Sequence, residues 1–131
     1  MCQFRYPKKY EEDKIYAISG YAVVQNETAI QKETMINGPV QTCVKLYEDF
    51  NFYKSGIYKH TWGEWEGAHA VKLIGRGVEN GTKYWIISNS WNYDWGENGE
   101  SLLRRVPNKT YITQGVIVAS SFRTVFNPSQ Q

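Results

Sequence analysis

A chain of 131 residues that is 41% hydrophobic is long enough for one domain with its own core, and one domain, residues 1–131, is expected. Fifteen basic against thirteen acidic side chains leave a formal charge of +2 without a long basic block, so nothing in the composition calls for nucleic acid. The apolar runs are far shorter than a membrane span. The polar start from Met1 to Lys14 carries no signal peptide pattern and read literally predicts a cytosolic address.

In chain order, residues 1–14 and 127–131 are expected to be loosely ordered. Ile15 to Val24 alternates around Ile15, Ala17, Tyr21 and Val23, which predicts extended structure broken at Gly20. "NETAIQKETMINGP" reads as a short helix: Thr28 with Gln31 matches a capping box, and Asn37, Gly38 and Pro39 stop it. "VQTCVKLY" is a strand in which Val40, Val44 and Leu46 share one phase and Cys43 faces the other way. "EDFNFYKSGIYKH" is a bulky aromatic turn closed by Gly56 and a short strand at Ile57 and Tyr58.

From there the chain reads mostly as sheet. "HAVKLIG" sets His69, Val71 and Leu73 against Ala70, Lys72 and Ile74, and "KYWIISNS" follows a tight turn at Asn80 and Gly81. Pairing about that turn draws Asn89 back towards the level of His69. "SLLRRV" and "GVIVASSF", the latter from Gly115, bring the total to about six short strands with one helix.

His69 is the first candidate for chemistry. A histidine in a strand is commonly a hydrogen-bonded structural residue, but Gly67, Ala68 and Ala70 leave one side of this imidazole approachable, and imidazole can take and return a proton near neutrality. Asn89 is a turn former at a strand end by default and an orienting partner for that imidazole if the strands pair. Trp91 could shield the contact from water; Trp85, Trp91 and Trp95 taken singly are core residues. His60, beside a turn, is a structural residue.

Metal binding is excluded as the main reading, because His60 and His69, nine residues apart with Glu64 and Glu66 between, lack ligand spacing. No cofactor is called for: "GRGVENG" has no P-loop lysine and opens no helix. Glycosylation sequons stand at Asn26, Asn80 and Asn108 and matter only in a secretory route. Cys2 and Cys43 are too few for spacing to separate a bridge from free thiols.

The phrases "NGPV", "YEDFNFYKSGIYKH" and "GAHAVKLIGRGVENGTKYWIISNSWNYDWGENG", roughly half the residues, resemble the papain family of cysteine peptidases in its cathepsin-B-like branch, with weaker similarity towards both ends. The resemblance implies an α+β papain-like fold represented by its C-terminal, antiparallel, barrel-like lobe with one short helix, the N-terminal helical lobe being absent. It places His69 at the proton-shuttling histidine, Asn89 at the orienting asparagine and Trp91 at the tryptophan covering the pair. Gly67 and Ala68 match residues on the substrate-binding side, and Gly115 matches a pocket floor where the branch can carry a glutamate. With glycine there, the pocket is expected to favour apolar over basic side chains.

The family also needs a nucleophilic cysteine at a helix N-terminus and an oxyanion glutamine, and neither motif occurs in this chain. The expectation is a cysteine-type peptidase lobe inactive alone, whose partners are an N-terminal lobe and, once assembled, a protein or peptide substrate. The alternative is a catalytically dead binding or regulatory module related to peptidases. Cys2 resembles a family cysteine whose disulfide partner lies upstream. The family usually follows "WGENG" with an aromatic, where this chain has Glu100 and then Ser101, so either Glu100 is exposed or the lobe is weakened. The missing lobe also implies an exposed apolar surface near Trp91. By resemblance the compartment is lysosomal or extracellular.

Overall fold

The computed structural model describes residues 15–24, 26–105 and 112–124, without the side chains of 15–19 and 112–124. Asn108, Cys2 and the expectations for residues 1–14 and 127–131 lie outside the described residues. The elements are β1 (Ile15–Val23), α1 (Glu27–Ile36), β2 (Val40–Tyr47), a 3-10 turn (Glu48–Phe52), β3 (Ile57–Tyr58), β4 (Trp65–Glu79), β5 (Thr82–Ser88), β6 (Glu100–Arg104) and β7 (Ile112–Thr124). Among the described residues seven strands form where the pattern gave about six, and β1 runs through Gly20 without a break. The strand order is β1-β7-β2-β4-β5-β6-β3, an open sheet and not a closed barrel.

Two compact units divide the chain, residues 1–21 with 119–131 and residues 22–118. The described part of the first is most of β1 and the end of β7. The second holds the helix, the central strands and every side chain discussed below.

In α1 the cap differs from the capping-box expectation. Asn26 is the N-cap, its Oδ1 accepting from the Ala29 N–H at 2.7 Å, while Gln31 reaches Glu27 and not the backbone. Asn26 is extended at φ −132°, so an Asn two residues before the predicted Thr caps as well and leaves Thr28 inside the first turn. Ile30 is the helix's buried residue and anchors it to the core.

β2 and β4 pair antiparallel, with Val40 opposite Leu73, Thr42 opposite Val71 and Val44 opposite His69. Their shared phase is buried and forms the core with Trp85, Ile87 and Leu103 of β5 and β6. Between Leu46 and Tyr47 the register shifts, leaving Glu66 as the extra residue beside Gly67. Gly67 has φ +139°, which an L side chain rarely adopts, so this bulge needs a glycine although nothing crowds its Cβ position. β4 returns as β5 through Asn80 and Gly81, at φ 47° and 75°, the signature of a type I′ hairpin turn. β3 pairs parallel with β6, a departure from the antiparallel expectation.

Glu100 is exposed, as one branch of the sequence expectation requires, whereas its neighbour Ser101 is fully buried with its Oγ unpartnered. The carboxylate thus keeps its hydration. The desolvation cost falls instead on the buried Ser101 hydroxyl, about 1 to 3 kcal/mol for an unsatisfied group.

Candidate active site

His69 projects from β4 in phase with the core residues Val71 and Leu73, and its ring is half-buried. Exposed Ala68 and Ala70 flank it, leaving room on the strand. Asn89 follows the last residue of β5, and its backbone N–H is pinned by the Gly99 carbonyl at 2.9 Å. The Asn89 Oδ1 lies 2.8 Å from His69 Nε2 and also accepts the Ser90 N–H at 2.8 Å. An amide oxygen only accepts, so Nε2 carries the proton and Nδ1 keeps the lone pair. The imidazole is thereby oriented as a base through Nδ1. The other end of the amide, Nδ2, is buried without a partner.

Trp91 stacks on the imidazole at 5.1 Å between centroids and 27° between planes. Its own position is fixed from behind by Phe50 at 5.8 Å and by Trp95 edge-on at 4.9 Å. Phe50, 1% exposed, further packs against Tyr53, Tyr58 and Trp95. A continuous aromatic stack thus runs from the core to the histidine. The turn carrying Trp91 and Trp95 folds because Asn92 and Asn98 take positive φ (75° and 55°), a conformation asparagine tolerates. Glu97 clips this turn to the 53–56 loop by accepting from the Gly56 N–H at 2.7 Å, with the Tyr53 hydroxyl 2.9 Å away. Burial pushes the Tyr53 phenol well above its ordinary pKa, and Glu97 adds to that rise, so the hydroxyl stays protonated in the clip.

A second buried group orders the far side of the stack. Asp49 accepts from the Tyr58 hydroxyl (2.5 Å) and the backbone N–H groups of Thr61 (2.8 Å) and Trp62 (3.3 Å), with His60 Nδ1 at 3.1 Å. Burial alone would raise its pKa, but these donors outweigh it and hold the carboxyl at about 2, below its ordinary 3.8. The stabilisation is complete above pH 3.8 and is lost as pH falls through that value towards about 2. Asp49→Asn is expected to cost about 2 kcal/mol at pH 7 and far less at pH 2, as read by urea unfolding at both pH values. An equal cost at both would show that the charge contributes nothing.

Cys43 cannot stand in as a nucleophile beside His69. It pairs with Ala70 in β2, whereas His69 pairs with Val44, and successive residues of a strand face opposite sides. Gly115 lies in β7 next to Gln114, which pairs with Cys43, so it sits near the row of Ala70, two strands from β4 and about 10 Å across the sheet. Gly67 lies two residues before His69, at the bulge. Asn26 and Asn80 are both exposed, the first as a helix cap and the second in the hairpin turn.

Asp49 was not singled out by sequence; Phe50 was read only as part of a bulky aromatic turn and Trp95 only as a core residue. Neither the aromatic density of "EDFNFY" nor the tryptophan in "NYDWG" says which ring meets Trp91.

Comparison with known proteins follows the same lines. The family model described as "Papain family cysteine protease" matches residues 1–120. Cathepsin B-like cysteine proteinase 3 of Ostertagia ostertagi is 56% identical over 98 residues, covering 75% of this chain and 56% of that protein. The gut-specific cysteine proteinase of Caenorhabditis elegans is 43% identical over 120 residues, covering 92% of this chain and 36% of that protein. Among solved structures, proCathepsin B S9 from Trypanosoma congolense superposes with a TM-score of 0.75 at 35% identity, over 81% of this chain and 36% of that one. The chain therefore spans between about a third and somewhat over half the length of these relatives.

Proposed function

Because the chain belongs to the papain family of cysteine proteases, we propose that it is the sheet-rich lobe of a cathepsin-B-like cysteine peptidase and supplies that enzyme's base and orienting amide. The observation that carries the reading is the His69 Nε2 contact to Asn89 Oδ1 at 2.8 Å under the stacked Trp91 ring. In this reading Nδ1 of His69 takes the proton of a cysteine thiol on a second lobe. The thiolate attacks the peptide carbonyl, and the imidazolium then protonates the leaving amine through the same nitrogen. Water hydrolyses the thioester with His69 again as the base. Asn89 holds the ring so that only Nδ1 faces the reacting atoms, and Trp91 keeps water from the Asn89 contact.

The nucleophile and the oxyanion donors come from the other lobe, and residues 15–105 hold no substitute, with Cys43 facing away from His69. The chain by itself is expected to bind but not to cleave. Gly115 and the Gly67–Ala68 edge serve substrate binding in the same reading, and the working compartment is lysosomal or extracellular.

The test is complementation. The chain is mixed with a separately produced cysteine-bearing lobe of a cathepsin-B-like relative, and peptide hydrolysis and labelling by a thiol-directed epoxide are measured. Turnover is expected only in the mixture, with the label on the added cysteine. Turnover by the chain alone with the label on Cys43, or an associated but inactive mixture, would falsify the reading.

A further inference from the structure

Three large aromatic side chains stand exposed on the 3-10 turn and on the segment that leads into β4: Phe52 at 68%, Trp62 at 54% and Trp65 at 63%. Phe52 and Trp62 touch, with ring centroids 5.8 Å apart. They sit on a rigid base, because the 3-10 turn and the segment 61–66 are zipped together along their length. Asp49 takes the Thr61 and Trp62 N–H groups, Glu48 N–H donates to the Glu64 carbonyl (3.2 Å) with the Glu64 N–H returning to Glu48 Oε2, and Asn51 Nδ2 donates to Glu66 Oε2 (2.8 Å).

Along the chain the acids alternate with the rings. Glu64 and Glu66 flank Trp65, both exposed, and among the described residues neither makes a salt bridge. Glu66 is held by a neutral amide, which orients its carboxylate without neutralising it. Aromatic faces attract cations through their quadrupole, and a neighbouring unpaired carboxylate adds a charge of the same preference. The surface joins the dyad through the chain itself: Phe50 of the same turn packs on Trp91, and Glu66 lies three residues before His69 on β4.

We propose that this Phe52, Trp62, Trp65, Glu64 and Glu66 surface binds a lysine or arginine side chain of the polypeptide that lies across the dyad, the apolar stem against the rings and the cationic head at the carboxylates. Arginine and lysine carry both parts, which neither a purely apolar nor a purely cationic ligand does. The proposal rests on the peptidase reading only for the identity of the polypeptide as substrate; the side-chain chemistry stands without it.

Two N-acetylated, C-amidated pentapeptides, Gly-Gly-Lys-Gly-Gly and its norleucine counterpart, are titrated into the 15N-labelled chain while the indole N–H signals of Trp62 and Trp65 are followed. Lysine is expected to bind about fivefold more tightly than norleucine, with the difference vanishing in 1 M salt. The double substitution Glu64→Gln with Glu66→Gln should reduce lysine to the norleucine level, and Trp62→Ala should weaken both. All three positions are exposed, so folding is not at stake. Equal affinity for the two peptides, or shifts insensitive to Trp62→Ala, overturns the proposal. Lysine binding together with an inactive complemented mixture would instead sink the peptidase reading alone.

Discussion

Phe50→Ala is expected to destabilise the fold by about 3 to 5 kcal/mol, the range for deleting a buried phenylalanine ring. Phe50 is 1% exposed and touches four aromatic rings, Tyr53, Tyr58, Trp91 and Trp95, so its loss opens a cavity that stiff rings cannot close by small rotations. Aromatic pairs add about 0.5 to 1.5 kcal/mol each beyond their buried area, which puts this site at the upper end of the range. Against a total stability of about 5 to 15 kcal/mol for an ordinary domain, such a loss brings the chain near unfolding. Phe50→Leu keeps most of the volume and should cost clearly less. Urea unfolding monitored by far-ultraviolet circular dichroism gives both values, and a Phe50→Ala cost below 1 kcal/mol would mean that the stack tolerates a hole at its centre.

The consequence reaches the site because the rings form one stack. Phe50 supports Trp91, and Trp91 lies on the His69 imidazole. A variant that folds in the presence of Phe50→Leu should therefore show a more mobile imidazole with β4 and β5 unchanged, since those strands are held by their own ladder from Lys72 with Ser88 to Glu79 with Thr82.

What could be read in the sequence was whatever depends on neighbours along the chain. The phase of β2, with Val40 and Val44 inward and Cys43 outward, follows from alternation alone, and the Asn80 and Gly81 turn follows from the need for two positive φ angles. The turn draws Asn89 back towards His69, but the exact register, with its shift between Leu73 and Gly75, was beyond the sequence and comes from the fold. The cap of α1 was misplaced because Asn26 and Thr28 both satisfy the local rule and only the backbone's entry angle decides between them. Asp49 was invisible because its donors come from Tyr58 and residues 60 to 62 after the chain has turned back, and an isolated aspartate next to "EDFNF" reads as a solvated surface charge. The β3 and β6 pairing was equally hidden, since a two-residue strand has no pattern of its own and is recruited by the sheet edge beside it. Family resemblance supplied the roles of His69 and Asn89; the 2.8 Å contact and the tautomer it imposes come from the fold.

The tautomer leads to the second large effect. In the complemented enzyme, His69→Ala removes the base and acid together and is expected to lower turnover by about 10² to 10⁴-fold. Asn89→Ala leaves the imidazole in place but frees it to rotate and to move its proton to Nδ1, the nitrogen the thiol requires unprotonated. A misplacement of about 1 Å costs about 10²-fold, and a ring held in the wrong tautomer up to about 10⁴-fold. The two variants are told apart without turnover by 15N chemical shifts of the imidazole at a pH where it is neutral. The wild-type ring should carry its proton on Nε2, facing Asn89 Oδ1, and the Asn89→Ala ring should show a growing Nδ1–H fraction. Trp91→Ala should lie between, since the stacked ring shields the Nε2 hydrogen bond without making it. If Asn89→Ala slows turnover while the tautomer ratio stays as in the wild type, the amide acts on something other than the imidazole, and its buried Nδ2, which has no partner here, becomes the group to examine.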